Sequence, residues 1–361
     1  MNRPGASVLV SMSGGVDSAV AALLVKRAGY RVVGLTMKNY CYTDTDVPER
    51  SCCSVEAIHD AKRECDSLGI PHRIADVEDL FTREVIDDFV NEYRDGRTPN
   101  PCVRCNSIVR FHTLIDHADR FGIDYVATGH YARVYVTRDK GLYLARSVDN
   151  EKDQSYFLSG VHGDMLRRIL FPLGNNDKHT VRRLAREASL GVATKRESQE
   201  VCFVPEGTLT SFLDSRGVAL TPGPIENVGG EVIGEHRGLA SYTVGQRRHL
   251  GVAAGKPQYV VRLDLKKNVL VVGDRQDLLR HELVFRLDWI DSTVVDDPGA
   301  VTAQIRYRHR PASLEMIRVD GSRGCLRFEE PQPAICPGQT VAFFRGDIVV
   351  GSGVIDGSGP F

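Results

Sequence analysis

Residues 13–18, Ser-Gly-Gly-Val-Asp-Ser, carry the clearest chemical signal in this chain. They stand between an apolar run, residues 7–12, and an apolar periodic segment, residues 19–28, so the pattern predicts a strand, a glycine turn and a helix. Adjacent glycines let backbone N–H groups approach an anion, and the positive end of the helix adds to the same place. We therefore predict an oligophosphate site in which Asp17 suits Mg²⁺, the alternative being an ordinary glycine-rich turn.

This loop lacks the lysine of a Walker A motif and the third glycine of a dinucleotide fingerprint. It resembles instead the pyrophosphate loop of the N-type ATP pyrophosphatases, which split ATP between its α and β phosphates to adenylate an oxygen. That superfamily includes GMP synthetase, argininosuccinate synthetase and several tRNA sulfur transferases. The loop alone does not distinguish among these enzymes.

Residues 98–106, Thr-Pro-Asn-Pro-Cys-Val-Arg-Cys-Asn, form a second informative stretch. A proline-stiffened turn delivers the C-x-x-C pair Cys102 and Cys105 to the start of a helix predicted over residues 108–118. A thiol at a helix N-terminus has a lowered pKa, so more of it is the nucleophilic thiolate. Half of a zinc site is the alternative, although no second C-x-x-C or H-x-x-x-H follows at finger spacing.

The third informative stretch is residues 197–204, which the pattern predicts to be a polar loop entering a short apolar strand that carries Cys202. A lone cysteine is more often a small buried apolar residue than a catalyst, so the role of Cys202 depends on which residues it faces.

The irregular segment of residues 39–55 is predicted to be either a mobile lid or a plain surface connection. We assign no role to its cysteines, which are Cys41, Cys52 and Cys53.

Strands and helices alternate through the first half of the chain. Strands are predicted at residues 31–38, 71–77 and 124–128, and helices at residues 55–68, 80–93 and 178–189. This alternation predicts an α/β fold with a parallel sheet covered on both faces and ligands at the carboxyl ends of the strands. Met37 and Gly129 follow such ends, and the backbone of Met37 suits a contact to adenine.

The composition is that of a globular protein. The chain has 361 residues, of which 42% are hydrophobic and 26% charged, which suits two or three domains. Its 46 basic and 47 acidic residues give a formal net charge of −1, so a nucleic-acid partner must meet a local basic face. No apolar run approaches the roughly 18 residues of a membrane span, and the start lacks a signal h-region, so we expect a cytoplasmic protein without a membrane partner. Nine cysteines, an odd number, favour thiols, metal ligands or redox catalysts over a disulfide framework.

Short strands and glycine-rich turns replace the strand–helix alternation in the second half of the chain. We predict an α/β domain over residues 1–208, a small β-rich domain over residues 209–280 and a C-terminal β-barrel over residues 281–361. The character of the sequence changes from Thr221, and short alternating strands are predicted from about His281 onward.

A basic patch lies in the predicted barrel. If it is a strand, Arg306, Arg308 and Arg310 share one side of it and Tyr307 lies on the other. Basic groups there suit phosphates, and an aromatic ring suits stacking on a base. A merely exposed cationic strand face is the alternative.

Eight motifs occur in the order found in the tRNA-specific 2-thiouridylase family: SGGVDS, TPNPCVRCN, ATGHYAR, KDQSYFL, ESQEVCF, GEHRG, YTVGQRR and IRYRHRP. Each motif is weak alone, but together they resemble this family over essentially the whole chain. The resemblance implies an N-type ATP pyrophosphatase domain followed by a β-rich domain and a barrel. It also implies an enzyme that thiolates the wobble uridine of tRNA.

The resemblance implies roles for the matching positions. The catalytic residues are Cys105, as nucleophile, and Cys202, as persulfide carrier. ATP and Mg²⁺ are implied along the loop, with Asp17 at the metal; the nucleotide-binding residues are Ser11, Met12, Ser13, Gly14, Gly15, Val16, Asp17, Ser18, Met37 and Gly129. The target base is implied to contact Asn100, Pro101 and Cys102. Contacts to tRNA are implied for His130, Lys152, Asp153, Gln154, Arg306, Tyr307 and Gln339, although His130 also suits a purely structural role.

The implied reaction has two steps. Adenylation converts the C2 oxygen of the uridine into an AMP ester with loss of pyrophosphate, and sulfur from a persulfide on Cys202 then displaces AMP. A disulfide between Cys105 and Cys202 would remain and would need reduction before the next turnover. The implied partners are tRNA and a persulfide donor, either a cysteine desulfurase or a sulfur relay protein.

Cys102 departs from the family pattern, because many members carry aspartate at this position. The cysteine removes a carboxylate contact and adds a third thiol, and three thiols also suit an iron–sulfur cluster, as in some related tRNA thiolases. The persulfide route is favoured, because the aspartate-bearing members imply that the third thiol is dispensable.

Two other functions compete with thiolation. One is an amide ligase that uses the same kind of loop, but such an enzyme has no use for Cys105 together with Cys202. The other is a zinc-stabilised RNA-binding module without catalysis, which would leave the SGGVDS loop unexplained.

Overall fold

A computed structural model describes residues 5–40, 55–137, 141–195, 201–204, 209–252 and 255–359. Cys41, Cys52, Cys53 and residues 196–200 lie outside the described residues. The chain packs as two compact units: the first comprises Met1–Ile86, Cys102–Glu206 and Asp347–Val349, and the second comprises Asp87–Pro101, Gly207–Gly346 and Val350–Phe361. The boundaries predicted at residues 208 and 280 stay predictions.

The first unit contains the parallel sheet that the sequence predicts. The strands of this sheet are β1 Ser7–Ser11, β2 Arg31–Lys38, β3 His72–Asp76, β4 Tyr125–Ala127 and β7 Ile169–Leu170. Between β4 and β7 the chain forms an antiparallel hairpin of β5 Ala132–Val136 and β6 Leu142–Arg146. The sheet order is β3-β2-β1-β4-β7, and all its pairings are parallel. Every residue of β1 is buried, so this central strand is covered on both faces.

Helices follow the strands as expected of an α/β fold. They are α1 Val16–Arg27, α2 Val55–Ser67, α3 Glu78–Phe81, α4 Asp87–Arg94, α5 Pro101–Arg104, α6 Phe111–Arg120 and α7 Lys178–Glu187, with 3₁₀ turns at Ser155–Leu158 and Gly163–Arg167. A π-helical turn, Thr82–Ile86, joins α3 to α4, and a second one, Cys105–Arg110, joins α5 to α6. The predicted helix over residues 108–118 was therefore too short: helical structure begins at Pro101.

The second unit contains two β structures. Helix α8 Leu209–Ser215 precedes a sheet of order β10-β11-β8-β9, built from β8 Gly223–Asn227, β9 Val232–His236, β10 Tyr259–Asp264 and β11 Val269–Gly273. Six strands then form the predicted barrel: β12 Leu279–Ile290, β13 Thr302–Gln304, β14 Ala312–Asp320, β15 Arg323–Pro333, β16 Thr340–Arg345 and β17 Ile348–Gly357. The barrel is closed because β12 pairs with β17. Short helical segments lie at Leu239–Ser241, Arg275–Leu278, α9 Thr293–Asp296 and Pro298–Ala300.

The basic patch is not a strand. Residues 305–311 form the turn between β13 and β14, and Arg308 has a left-handed backbone with φ of 62°. The predicted alternation of Arg306, Arg308 and Arg310 across a strand from Tyr307 is therefore wrong, because turn residues do not alternate between two faces.

Among the described residues, we find no helix with the length and apolar character needed to cross a bilayer.

Gly14 sets how closely the glycine loop approaches α2. Its φ is +68°, and a Cβ at this position would lie 2.3 Å from the carbonyl oxygen of Ala57. Any side chain would therefore combine an unfavourable left-handed backbone with a clash against main-chain atoms.

We expect Gly14→Ala to destabilise the protein more than Gly29→Ala. Both glycines have positive φ, but a Cβ at Gly29 would meet nothing within 4 Å, so this control isolates the backbone cost. The clash at Gly14 adds about 1–3 kcal/mol of lost stability. Urea unfolding of the two variants, followed by circular dichroism, measures the difference; equal losses would show that the loop and α2 separate freely.

Candidate active site

The glycine loop joins the end of β1 to the start of α1. The Ser18 hydroxyl donates to the Gly15 carbonyl at 2.9 Å and lies 3.2 Å from both the backbone N and the Oγ of Ser13. Gly15 caps α1 without a side-chain hydrogen bond. Backbone N–H groups at such an end suit a phosphate.

Gly129 brings the end of β4 against the same loop. A Cβ on Gly129 would lie 2.7 Å from the carbonyl carbon of Asp17 and 2.7 Å from the backbone N of Ser18. Only a residue without a side chain allows this approach. The structure therefore places Gly129 beside the predicted nucleotide loop, as the sequence leads one to expect.

Asp17 lies at the centre of a charged network. Its two carboxylate oxygens are each 2.8 Å from the ammonium nitrogen of Lys178, and the Tyr131 hydroxyl donates to Oδ1 at 2.9 Å. The Lys178 side chain is only 12% exposed, so this ion pair is largely withdrawn from water. Sequence reasoning missed Lys178, because 161 residues separate it from Asp17.

A magnesium ion fits this site only in part. Among the described residues, no group of three or more histidine, cysteine, aspartate or glutamate side chains is arranged to hold a metal. Protein sites for Mg²⁺ commonly use one or two carboxylates together with substrate phosphates. Asp17 therefore suits an ion that arrives with a nucleotide.

Lys195 supports the loop from another side. Its ammonium group donates to the Gly14 carbonyl at 3.1 Å and forms an ion pair with Asp60, whose side chain is 7% exposed. Asp60 belongs to α2, so one lysine connects that helix to the loop. Neither residue lies in one of the motifs, so no local pattern indicated this role.

The cysteines of the second stretch differ in exposure. Cys102 is exposed on α5, whereas Cys105 is buried in the π-helical turn that follows. The helix begins at Pro101, so its N-terminal dipole acts more directly on Cys102 than on Cys105. Asn100 is half-buried and Pro101 is buried.

Cys202 lies in a turn, which corrects the prediction of a strand for the described part of its segment, residues 201–204. The thiol is half-exposed, whereas the next residue, Phe203, is 1% exposed and packs edge-on against Phe81 at 5.7 Å between ring centroids. Phe81 ends α3, which also contacts the π-helical turn that carries Cys105. The same short helix therefore borders both cysteine segments.

His130 continues the chain from Gly129. Its Nδ1 lies 2.8 Å from the Thr128 hydroxyl. Desolvation, with a smaller contribution from the positive charge of Arg110, lowers the pKa of His130 to about 3. The imidazole is thus neutral near pH 7, although part of the residue remains exposed.

The Lys-Asp-Gln motif has structural contacts of its own. Asp153 is buried and accepts hydrogen bonds from Arg146 at 2.8 Å and from Ser155 at 2.6 Å. Gln154 accepts a hydrogen bond from the backbone N–H of Tyr131, while Lys152 is half-buried. Their predicted tRNA contacts stay predictions, and the carboxylate of Asp153 is already used within the fold.

The remaining predicted tRNA residues lie in the second unit. Arg306 donates to the Pro333 carbonyl at 3.1 Å, and Tyr307 stacks with the Arg308 guanidinium at 5.4 Å. Gln339 donates to the Thr98 carbonyl at 2.8 Å. These contacts orient the side chains, and their contact with RNA stays a prediction.

Comparison with known proteins gives matches along nearly the whole chain. Three family models match in series: the tRNA methyl transferase HUP domain at residues 6–206, the tRNA methyl transferase PRC-barrel domain at residues 210–274 and the aminomethyltransferase beta-barrel domain at residues 280–355.

Curated relatives match over nearly their full lengths. The tRNA-specific 2-thiouridylase MnmA of Moorella thermoacetica is 47% identical over 353 residues, which cover 96% of this chain and 99% of the relative. The proteins of the same name from Carboxydothermus hydrogenoformans and Geobacter metallireducens are 45% and 44% identical, each over 97% of this chain and over 97% and 96% of their own lengths.

The lowered pKa of His130 predicts a specific pH dependence. Between the unfolded pKa of 6.5 and the folded value of about 3, the unfolded chain binds a proton that the folded chain does not. His130 therefore does not change the free energy of unfolding above about pH 6.5. As the pH falls from 6.5 towards 3, it lowers the free energy of unfolding by up to about 1.4 kcal/mol per pH unit. Urea unfolding at pH 7.5 and pH 5 should show a smaller loss of stability for His130→Gln than for the unaltered protein, and equal losses would contradict a lowered pKa of this imidazole.

Proposed function

Because this chain belongs to the tRNA-specific 2-thiouridylase family, we propose that it is a tRNA sulfurtransferase that uses ATP to replace the C2 oxygen of the wobble uridine with sulfur. The observation that carries the proposal is the identity of 47% to a relative named for this thiolation, over nearly the full length of both chains. The thiols of Cys105 and Cys202 also support the proposal, because sulfur transfer through a persulfide uses two thiols and both segments border the same helix.

In the first step, the C2 oxygen of the uridine attacks the α-phosphorus of ATP. A new oxygen–phosphorus bond forms, the bond from the α-phosphorus to the bridging oxygen breaks, and pyrophosphate leaves. The loop residues Ser11 to Ser18 would bind the phosphates, with the N-terminus of α1 and the ammonium of Lys178 providing positive charge. Bound through Asp17 and the phosphates, Mg²⁺ would neutralise charge on the phosphate oxygens.

In the second step, the terminal sulfur of a persulfide on Cys202 attacks C2, its proton passes to solvent and AMP leaves. The thiolate of Cys105 then attacks the sulfur of Cys202, the persulfide S–S bond breaks, and 2-thiouridine is released. A Cys105–Cys202 disulfide remains, which a thiol reductant reduces before a persulfide donor reloads Cys202. Cys102 would help place the uridine, with Asn100 and Pro101.

Recognition of tRNA is assigned to polar side chains in both units. The proposed contacts are His130, Lys152, Asp153, Gln154, Arg306, Tyr307 and Gln339. A neutral His130 would act as a hydrogen-bonding group and not as a cation. Methyl transfer, which two of the matching family descriptions name, has no use for a persulfide cysteine or for a pyrophosphate loop.

Mass analysis of tRNA nucleosides tests the reaction. Unmodified tRNA is incubated with the protein, ATP, Mg²⁺ and a persulfide source, and 2-thiouridine should appear. Cys105→Ser and Cys202→Ser should form none, because each removes one sulfur of the relay. Cys102→Ser is the matched control and should keep appreciable activity.

Each other outcome has a defined meaning. AMP without 2-thiouridine would contradict thiolation and favour a ligase, and a methylated base would favour methyl transfer. Loss of activity in all three variants, with iron and sulfide in anaerobically purified protein, would favour an iron–sulfur cluster over the persulfide.

Asp17→Ala should reduce pyrophosphate release by about 100-fold or more, the loss typical of removing an electrostatic contact to a reacting group. Binding of tRNA should be largely retained, because the loop serves phosphates and not the RNA. Asp66→Ala, at an exposed aspartate of α2, is the matched control. Pyrophosphate release at the normal rate from Asp17→Ala would contradict the assignment of the loop.

A further inference from the structure

The peptide group between Gly14 and Gly15 lies in the glycine loop, directly before α1. In a trans peptide, the carbonyl of one residue and the N–H of the next point in opposite directions. The direction of the Gly14 carbonyl therefore sets the direction of the Gly15 N–H. Because Gly15 caps α1, its N–H is one of the four that have no partner inside a helix.

This peptide has little intrinsic resistance to reversal. A flip by half a turn changes ψ of Gly14 and φ of Gly15 and leaves the rest of the loop in place. The φ of Gly15 is −106°, so the flip would carry it to a positive value that glycine adopts easily and other residues do not. The reversed peptide would present the negative end of its carbonyl, and not its N–H, to a phosphate.

Lys195 fixes the direction of the Gly14 carbonyl. Its ammonium group donates to this oxygen at 3.1 Å, across 181 positions of the chain. The lysine is itself held at both ends. Its ammonium pairs with Asp60, whose side chain is 7% exposed, and its backbone N–H donates at 3.0 Å to the carbonyl of Val192, a residue of the hydrophobic core.

We propose that Lys195 is a positioning residue that holds the peptide between Gly14 and Gly15 with its N–H directed at the pyrophosphate part of ATP. This inference rests on the proposed use of the loop for ATP. Lys195 acts through the peptide and not through its own charge, because Asp60 neutralises that charge beside the loop. A donor that is already oriented does not have to turn when charge develops on the leaving pyrophosphate.

Equilibrium binding of inorganic pyrophosphate with Mg²⁺ tests this role, because this ligand has no base or ribose and reports on the phosphate site. Lys195→Met should weaken binding by about 10- to 100-fold, the range typical of a hydrogen bond to a charged group. Lys62→Met, at an exposed lysine of α2, is the matched control and should leave the affinity unchanged. Partial unfolding lowers the number of binding sites and not their dissociation constant, so a merely structural role would not give this result.

Gly15→Ala separates peptide orientation from charge. A Cβ at Gly15 would meet only the Ser13 Oγ among the described atoms, at 3.5 Å, so alanine fits the observed loop. Alanine disfavours the positive φ of the reversed peptide and should keep the N–H in place without the lysine. In the Gly15→Ala background, Lys195→Met should therefore weaken pyrophosphate binding by less than about threefold.

Asp60→Asn gives a second test, which depends on the direction of the change. It removes a negative charge beside the loop, so a lysine that acted through charge alone would bind pyrophosphate more tightly. A positioning lysine loses its anchor instead, so binding should weaken. This variant decides the question if Lys195→Met does not fold or if Gly15→Ala by itself abolishes binding.

Each contrary result has a distinct meaning. An unchanged affinity in Lys195→Met, an equal loss with and without Gly15→Ala, or tighter binding by Asp60→Asn would each overturn the positioning role and leave the use of the loop for ATP intact. Absence of pyrophosphate binding in the unaltered protein would overturn both this inference and the proposed use of the loop.

Discussion

The carboxylate of Asp17 is the point on which the arrangement of the first unit depends. It binds the ammonium of Lys178 through both oxygens at 2.8 Å and the hydroxyl of Tyr131 at 2.9 Å. A partly buried carboxylate is unfavourable without partners, so these contacts hold the start of α1, the segment after β4 and the start of α7 together. The loop between β1 and α1 is thereby fixed from its helical side before a ligand binds.

Two glycines allow the loop between β1 and α1 to lie close to neighbouring backbone. Gly14 approaches the Ala57 carbonyl and Gly129 approaches the backbone at Asp17 more closely than any residue with a Cβ allows. Using glycine at both positions has a cost in conformational entropy, because glycine loses more backbone freedom on folding than any other residue. The close approach leaves backbone N–H groups at the start of α1 available to an anion. Lys195 contacts both the Gly14 carbonyl and the carboxylate of Asp60, so it connects the loop to α2.

The sulfur-bearing segments are positioned by both packing and polar contacts. Phe203 is buried against Phe81, so the turn beside Cys202 is anchored by an apolar contact while its thiol remains half-exposed. Cys105 is buried in a π-helical turn, a feature that often occurs at functional sites because it redirects side chains within a helix. The contact of Phe203 with Phe81 anchors the turn beside Cys202, and an ion pair between Arg104 and Glu84 at 3.6 Å joins the Cys105 segment to the π-helical turn that follows α3.

The sequence by itself determined the parallel sheet, the helices that follow its strands, the closed barrel and the glycine loop, because apolar periodicity and glycine spacing are local signals. It failed where turns resemble strands, at Cys202 and at Arg306, since a short polar–apolar alternation does not reveal whether a partner strand exists. Only the tertiary structure revealed Lys178 beside Asp17 and the burial of Asp60 beside Lys195. Ion pairs between distant residues and the burial of a single polar atom depend on how the whole chain packs, so no local pattern encodes them.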